Sequence, residues 1–205
     1  MGKTALILVD LQNDFFPGGA LGVPGANSIF PLANDIQDQF DLIVATKDWH
    51  PQNHGSFASN HPGHAVYEVI KLKDVPQVLW PDHCVQNTSG AEFHPSLKTQ
   101  KINKVFFKGT NPDYDSYSTF FDNAHIKKTG LEQYLRDQGV TDVYIMGLAT
   151  DYCVLFSALD ATKLGFNTFV ITDACYGINK SPGDIDRALE SMKEAGAKLI
   201  DSTNI

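Results

Sequence analysis

The sequence predicts an α/β fold with three layers, in which helices cover both faces of a mostly parallel six-stranded sheet. Two observations support this prediction. Short apolar runs rich in β-branched residues recur along the 205 residues, and segments of helical length and periodicity separate several of them. Strand, helix and strand in repeated order are typical of a parallel sheet, because parallel neighbours need a crossover connection. The predicted strands are 5–9, 42–46, 104–107, 143–147, 168–172 and 197–200.

Helices are predicted where apolar residues recur at helical spacing. The four segments with this pattern are 26–39, 131–136, 152–164 and 181–196. Gly139 is expected to be the C-cap of the second helix, and Gly165 follows the third directly. For the fourth helix, Ser181 is expected to be the N-cap residue, with Pro182 in the first helical position and Asp184 in the third.

Composition excludes several classes of function. The chain carries 24 acidic and 16 basic residues, a net charge of −8, and no basic stripe, which argues against a nucleic-acid partner. No apolar stretch approaches the roughly 20 residues that a membrane span needs. The N-terminus shows no signal-peptide pattern, and the three cysteines form no CxxC pair. We therefore expect a cytoplasmic enzyme without a disulfide framework, and its oligomeric state stays open, a homo-oligomer included.

One long segment breaks the alternation of strands and helices. Residues 48–103 join the second and third strands, are rich in Pro, Gly, Asn and His, and hold six of the seven histidines. A connection of this length inside a compact domain is usually functional or disordered, and the gathered histidines favour function. We expect residues 1–205 to form one domain, with 48–103 as an insertion within it.

Residues that can do chemistry follow three of the predicted strands. The first strand runs into Asp10, the third into Lys108, and the fourth leads through a short turn to Cys153. The carboxyl ends of parallel strands lie along one edge of the sheet, where ligands bind, so these side chains should meet there. An acid, a cation and a thiol are the components of an activated cysteine nucleophile. Asp14 is an alternative acid that lies further into the loop.

Among the cysteines, Cys153 has the most reactive position. It is expected at the start of a helix, where unpaired N–H groups lower a thiol pKa from about 8.5 and can stabilise an oxyanion. Cys84 and Cys175 lack that position and are expected to be buried structural residues.

A second group of residues suits one divalent metal ion. Asp48 and His50 follow the second strand, His83 lies towards the other end of the long segment, and alternation along a strand puts Asp48 and His50 on the same side. A carboxylate with two or three imidazoles suits zinc first, with iron or manganese as alternatives. Whether His54 is a further ligand stays open. The competing interpretation is that these are solvated polar groups of a loop.

Five stretches of the chain resemble the bacterial nicotinamidase/pyrazinamidase branch of the isochorismatase-like hydrolases. They are DLQNDF at 10–15, DWHPQNHGSF at 48–57, WPDHCV at 80–85, KGT at 108–110 and GLATDYCV at 147–154. The similarity spans nearly the whole chain. The first aspartate and the cysteine turn are typical of the superfamily, whereas the second and third stretches are specific to nicotinamidases.

This resemblance implies a Rossmann-like, isochorismatase-like hydrolase fold and an activity. Such enzymes hydrolyse nicotinamide to nicotinate and ammonia in NAD salvage, and they also convert pyrazinamide. The resemblance implies a catalytic triad of Asp10, Lys108 and Cys153. It implies oxyanion donors at the N–H groups of Ala149 and Cys153, with a cis peptide before Ala149.

The resemblance also implies how the ring of the substrate is held. The metal ligands it implies are Asp48, His50 and His83. The aromatic residues it places around a pyridine ring are Phe15, Trp80 and Tyr117.

Three other functions remain open from the sequence. A related hydrolase could act on a vinyl ether or a carbamoyl amide. A metal-bound water could attack the substrate while Cys153 stays passive. The chain could also be a binding protein without activity on the same scaffold, which an intact Cys, Asp and Lys set argues against.

Overall fold

The computed structural model describes residues 2–205. Its strands are β1 Lys3–Val9, β2 Leu42–Asp48, β3 Val69–Leu72, β4 Val75–Val78, β5 Lys104–Lys108, β6 Val140–Leu148, β7 Asn167–Tyr176 and β8 Lys198–Ile200. Its α-helices are α1 Ile29–Asp35, α2 Leu131–Asp137, α3 Leu155–Lys163 and α4 Asp184–Glu194.

Six of these strands form one sheet in the order β5-β2-β1-β6-β7-β8. Every pairing within that sheet is parallel, so the predicted fold class is confirmed, and the sheet is wholly rather than mostly parallel. The first strand is central, between β2 and β6. The observed strands extend past the predicted apolar runs, since polar end residues also join the ladder: Asp48 is the register partner of Lys108.

Alternate residues of the central strand supply the two faces of the sheet. Leu6 and Leu8 belong to a buried cluster that includes the apolar residues of α1. Ala5 and Ile7 belong to a second cluster, which includes residues of α2, α3 and α4. Helices therefore cover both faces, as the sequence predicted, and the edge formed by the strand carboxyl ends is left for a site.

Two predicted helices are less regular than expected. Residues 26–39 form α1 between two short 3₁₀ turns. The segment that leads into α3 begins with a π-helical turn at Thr150–Val154. Gly139 and Gly165 both have positive φ just after their helices, at 76° and 85°. The C-cap residue of α2 is Gln138, one residue before the predicted Gly139; Gly139 follows it, and its N–H bonds the Arg136 carbonyl oxygen over 2.9 Å.

The predicted start of the last helix is wrong by two residues. Helix α4 begins at Asp184, because Gly183 has a φ of 85° and interrupts the helical path that Ser181 would have started. The contact expected of a capping box does form, since the Ser181 backbone N–H donates to the Asp184 carboxylate over 2.7 Å. That contact stabilises a turn that precedes the helix.

The long segment contains structure of its own. Strands β3 and β4 form an antiparallel hairpin, and the turn residues Lys73 and Asp74 both have positive φ. Isolated bridges from His50 to Val85 and from Phe57 to Trp80 join distant parts of the segment to each other, and a bridge from Phe93 to Gln12 joins it to the chain just after β1. The assignment of residues 1–205 to one domain stays a prediction. Within residues 2–205, no helix combines the length and apolar character needed to cross a membrane.

Candidate active site

Three chemically active side chains meet at the carboxyl edge of the sheet. The Lys108 ammonium lies 2.9 Å from an Asp10 carboxylate oxygen and 3.3 Å from the Cys153 sulfur. It also donates to the Ser116 carbonyl oxygen over 2.9 Å. Asp10 follows β1 directly, Lys108 ends β5, and Cys153 lies in the π-helical turn after β6. We call Asp10, Lys108 and Cys153 the sheet-edge cluster.

Burial and the neighbouring charges shift the pKa values of these three groups. Burial raises the pKa of the Cys153 thiol well above its usual range, although Lys108 opposes that effect. Burial likewise raises the pKa of Asp10, against the opposing influence of Lys108. Burial alone would lower the pKa of Lys108, but Asp10 and Asp48 raise it well above normal. Lys108 is therefore a permanent cation, and Asp10 is the group suited to exchange a proton with the thiol.

Asp48 joins this cluster to a set of buried histidines. One carboxylate oxygen accepts a hydrogen bond from Lys108, and the other lies 3.6 Å from His50 Nε2 and 3.8 Å from His83 Nε2. Burial raises the pKa of Asp48, but Lys108 and His50 outweigh burial and hold it well below its usual range. The two carboxylates beside Lys108 thus have pKa values displaced in opposite directions, which suits one to proton transfer and the other to a permanent negative charge.

His50 and His83 present free lone pairs towards Asp48. The Nδ1 of His50 lies 2.9 Å from the Gly109 carbonyl oxygen, and the Nδ1 of His83 lies 2.8 Å from the Pro81 carbonyl oxygen. Each Nδ1 must donate to its carbonyl, so each Nε2 carries a lone pair when its ring is neutral. Gly109 permits this approach, because a Cβ at its φ of 62° would lie 2.3 Å from the His50 ring.

This donor set fits a divalent metal ion. One ligand atom from each of Asp48, His50 and His83 lies within 4.8 Å of the others, and all three residues are buried. His50 Nε2 is buried without a hydrogen-bond partner among residues 2–205, as expected for a nitrogen whose lone pair binds a metal ion. An ionised carboxylate with imidazoles oriented by backbone carbonyls is a common arrangement at zinc, iron and manganese sites. We call His50, His54 and His83 the histidine cluster.

A cavity lies between the two clusters. Its lining includes Cys153, Ala149, Asp48 and His83 together with an aromatic wall. The peptide between Leu148 and Ala149 is cis, as the resemblance implied.

The predicted aromatic residues all line this cavity, and two of them, Trp80 and Tyr117, contact each other. Phe15 packs edge-on against the His83 ring at 5.5 Å between centroids. Tyr117 accepts a hydrogen bond from Trp80 Nε1 over 3.2 Å. The sequence did not single out Tyr152, which stacks edge-on against Trp80 at 4.8 Å, or Ile178, which also lines the cavity.

Two polar residues of the first stretch hold the metal-binding side in place. Gln12 is fully buried, accepts from the Asp48 backbone N–H over 2.8 Å and donates to the Asp48 carbonyl oxygen over 2.7 Å. Asp14 accepts from the backbone N–H of Cys84, the residue after His83, over 2.7 Å. Asp14 therefore has a structural partner, and Asp10 is the acid beside the thiol.

Asp151 has a similar positioning role on the other side of the cavity. It is buried in the nucleophile turn and accepts from the backbone N–H groups of Ile178 and Asn179 over 2.9 and 2.7 Å. The sequence around Asp151 gave no indication of these two hydrogen bonds, because the partners lie 27 and 28 residues away.

The remaining cysteines lie outside the reacting group. All three cysteines are free. Cys84 is fully buried, its sulfur lies 4.0 Å from the Gly90 carbonyl oxygen, and burial raises its pKa well above normal. Burial raises the pKa of Cys175 to about 12.

Comparison with known protein families assigns the chain to one family. A sequence model of the Isochorismatase domain matches residues 4–204, and the chain belongs to this family. Among curated proteins, it is 51% identical over 203 residues to the nicotinamidase of Escherichia coli, covering 97% of this chain and 95% of that protein.

Solved structures give the same result. A nicotinamidase pyrazinamidase of Acinetobacter baumanii superposes with a TM-score of 0.96 at 46% identity, covering 98% of this chain and 97% of that one. The pyrazinamidase of Pyrococcus horikoshii, solved in complex with zinc, gives a TM-score of 0.79 at 43% identity, covering 97% and 99% of the two chains.

Proposed function

We propose that this protein is a nicotinamidase, which hydrolyses nicotinamide to nicotinate and ammonia, and pyrazinamide to pyrazinoate, in NAD salvage. The observation that carries the proposal is the position of Lys108, whose ammonium contacts Asp10, Cys153 and Asp48 together. An ammonium there can hold an acid against a thiol and also fix a carboxylate that faces the histidine cluster. The nicotinamidase relatives support this assignment.

The first half of the reaction forms a thioester on Cys153. Asp10 accepts the thiol proton as the sulfur attacks the carboxamide carbon, and Lys108 stabilises the anionic groups on either side. The N–H groups of Ala149 and Cys153 receive the developing oxyanion, where one such donor is worth about 3 kcal/mol. Protonated Asp10 then gives its proton to the departing nitrogen, so that the C–N bond breaks and ammonia leaves.

The second half regenerates the enzyme. Asp10 takes a proton from a water molecule as that water attacks the thioester carbonyl. The C–S bond breaks, the carboxylic acid is released, and the sulfur recovers its proton from Asp10. Burial raises the pKa of both Asp10 and Cys153, so each group is suited to hold the proton that passes between them during the reaction.

The ring of the substrate is held by the opposite side of the cavity. We assign Asp48, His50 and His83 as ligands of one divalent ion, with zinc as the first candidate because a zinc-bound relative is known. When bound, such an ion supplies a Lewis acid that can hold a ring nitrogen and orient the carboxamide. Phe15, Trp80 and Tyr117 enclose the flat ring. A cytoplasmic location and a homo-oligomeric assembly stay predictions.

An ammonia-release assay tests the proposal directly. Purified protein supplied with zinc should release ammonia from nicotinamide and from pyrazinamide. Acid quenching during turnover should trap the acyl group on the peptide that contains Cys153, as seen by mass spectrometry. The Asp10→Asn variant should lose several orders of magnitude in kcat while it keeps its circular-dichroism spectrum. A metal-loaded protein that turns over neither amide would contradict the proposal.

A further inference from the structure

The hydrogen bonds of His54 fix the position of its proton. Its Nδ1 lies 3.2 Å from the backbone nitrogen of Ser56 and 2.7 Å from the Ser56 hydroxyl oxygen. A backbone N–H can only donate, so Nδ1 must accept, and in a neutral imidazole it then carries no proton. The proton of neutral His54 therefore resides on Nε2. A flipped ring would turn a C–H towards Ser56 and lose both hydrogen bonds.

This tautomer is the reverse of the one found in the other two members of the histidine cluster. His50 and His83 face carbonyl oxygens through Nδ1, at 2.9 and 2.8 Å, so their Nε2 atoms have lone pairs. A metal ion binds a nitrogen lone pair and cannot share an atom that already holds a proton. Two of the three buried rings are therefore set up as ligands, and His54 is set up as a donor.

The Nε2–H of His54 requires an acceptor. His54 is fully buried, and its Nε2 has no hydrogen-bond partner among residues 2–205. Its ring centroid lies 4.3 Å from that of His50, and one of its nitrogens lies within 4.8 Å of a carboxylate oxygen of Asp115. A buried N–H left without an acceptor costs about 1–3 kcal/mol. A solvent oxygen between the histidine cluster and Asp115 would satisfy it.

Asp115 is oriented for such an arrangement. One of its oxygens accepts from the Ser116 N–H over 2.8 Å and the other from Gln77 Nε2 over 2.9 Å. Its side chain is buried beside the cavity, and each carboxylate oxygen can accept a second hydrogen bond. A water molecule held by His54 and Asp115 would then lie next to His50, at the border of the metal-binding side.

We propose that His54 is a positioning residue that does not bind the metal ion and instead donates its Nε2–H to a solvent oxygen beside the ion. The inference rests on the proposed function, because it takes Asp48, His50 and His83 as the ligands. It limits the protein to three ligands, which leaves coordination positions for solvent and for a ring nitrogen of the substrate.

Nuclear magnetic resonance of protein labelled with ¹⁵N-histidine tests this inference. In the metal-free protein at neutral pH, His54 should show a proton on Nε2, whereas His50 should show one on Nδ1. After loading with ¹¹³Cd²⁺, scalar coupling to cadmium should appear on the Nε2 atoms of His50 and His83, and none on His54. An Nδ1 proton on His54 in the metal-free protein, or cadmium coupling to its ring, would overturn the inference.

The same experiment separates this inference from the proposed function. If neither His50 nor His83 couples to cadmium, the proposed metal site fails, while the tautomer of His54 in the metal-free protein still decides its role as a donor.

Two variants give an independent readout by chelator competition for Cd²⁺. Loss of His54 in His54→Ala should weaken binding by about 10-fold to 100-fold, the range for a group that supports metal ligands through hydrogen bonds, and keep one ion per chain at saturation. His54→Gln keeps an N–H donor and should recover most of that affinity. If His54→Gln loses the ion as completely as His50→Gln does, His54 is a ligand and the inference is wrong.

Discussion

The two sides of the cavity are built in different ways. The sheet-edge cluster stands at the carboxyl ends of strands: Lys108 is the last residue of β5 and pairs within the ladder, and Asp10 and Cys153 lie just past β1 and β6. The histidine cluster stands on the long irregular segment, where hydrogen bonds to the Gly109 and Pro81 carbonyl oxygens and to Ser56 orient the rings. The sheet-edge cluster is therefore positioned by the fold of the sheet, and the rings of the histidine cluster are positioned by local contacts.

The largest effect should come from the nucleophile. Cys153→Ala should lower kcat for ammonia release by about 10⁴-fold or more, because no other group can form the thioester. Metal content, measured by elemental analysis, should stay unchanged, since Cys153 lies on the sheet-edge side. Cys175→Ala is the matched control and should retain activity. Activity close to wild type in Cys153→Ala would instead favour attack by a metal-bound water.

Loss of a metal ligand should remove the ion from the histidine cluster. His50→Ala removes a ligand and should lose most of the bound ion, raise KM for nicotinamide and leave the circular-dichroism spectrum unchanged. The reason is that the β-ladder does not depend on this ring. His64→Ala is the matched control, because His64 lies in the same segment but is exposed. Wild-type metal content and kinetics in His50→Ala would show that the ligand assignment is wrong.

A smaller loss is expected when a support of the metal-binding side is removed. Gln12→Leu deletes both hydrogen bonds to the Asp48 backbone, which should weaken zinc binding by about 10-fold to 100-fold. Competition with a chelator measures this affinity, and Gln133→Leu on an exposed helix face is the control. An unchanged affinity in Gln12→Leu would mean that the strand alone positions Asp48.

The smallest effect is expected at the wall of the cavity. An amide in Asp151→Asn has only one oxygen to accept the two backbone N–H groups of residues 178 and 179, so Ile178 should move. We expect KM for nicotinamide to rise roughly tenfold, about 1.4 kcal/mol, with kcat largely retained. Steady-state kinetics separate the two constants. A fall in kcat with constant KM would instead assign Asp151 to the chemistry.

The same division explains what the sequence could predict. Asp10, Lys108 and Cys153 follow apolar runs, and a parallel sheet brings such positions to one edge. The residue pattern also indicated Asp48, His50 and His83 as a metal-binding group, and the resemblance implied the same three residues. Hydrogen bonds across the fold were not predictable, since Gln12 and Asp48 lie 36 residues apart and Asp14 and Cys84 lie 70 apart. No local periodicity encodes such pairs.

Helix α4 shows how far a local sequence motif can predict the start of a helix. Ser181, Pro182 and Asp184 match the usual start of a helix, and the Ser181–Asp184 hydrogen bond forms. Gly183 nevertheless has a positive φ, and the helix begins after it. The turn between β7 and α4 is restrained by Asp151, whose two hydrogen bonds fix residues 178 and 179. The hydrogen bonds of Asp151, which is remote in sequence, thus accompany a start of α4 that the Ser-Pro-x-Asp motif alone did not predict.

The shared carboxylate of Asp48 has a consequence for redesign of this enzyme. Its two oxygens serve different neighbours, one the ammonium of Lys108 and the other the imidazoles. Exchange of the natural ion for one of different charge density would alter how strongly Asp48 attracts Lys108, and so how freely that ammonium can assist the sulfur. Attempts to retune substrate preference through the choice of metal will therefore also change the speed of acyl transfer, and both properties have to be selected together.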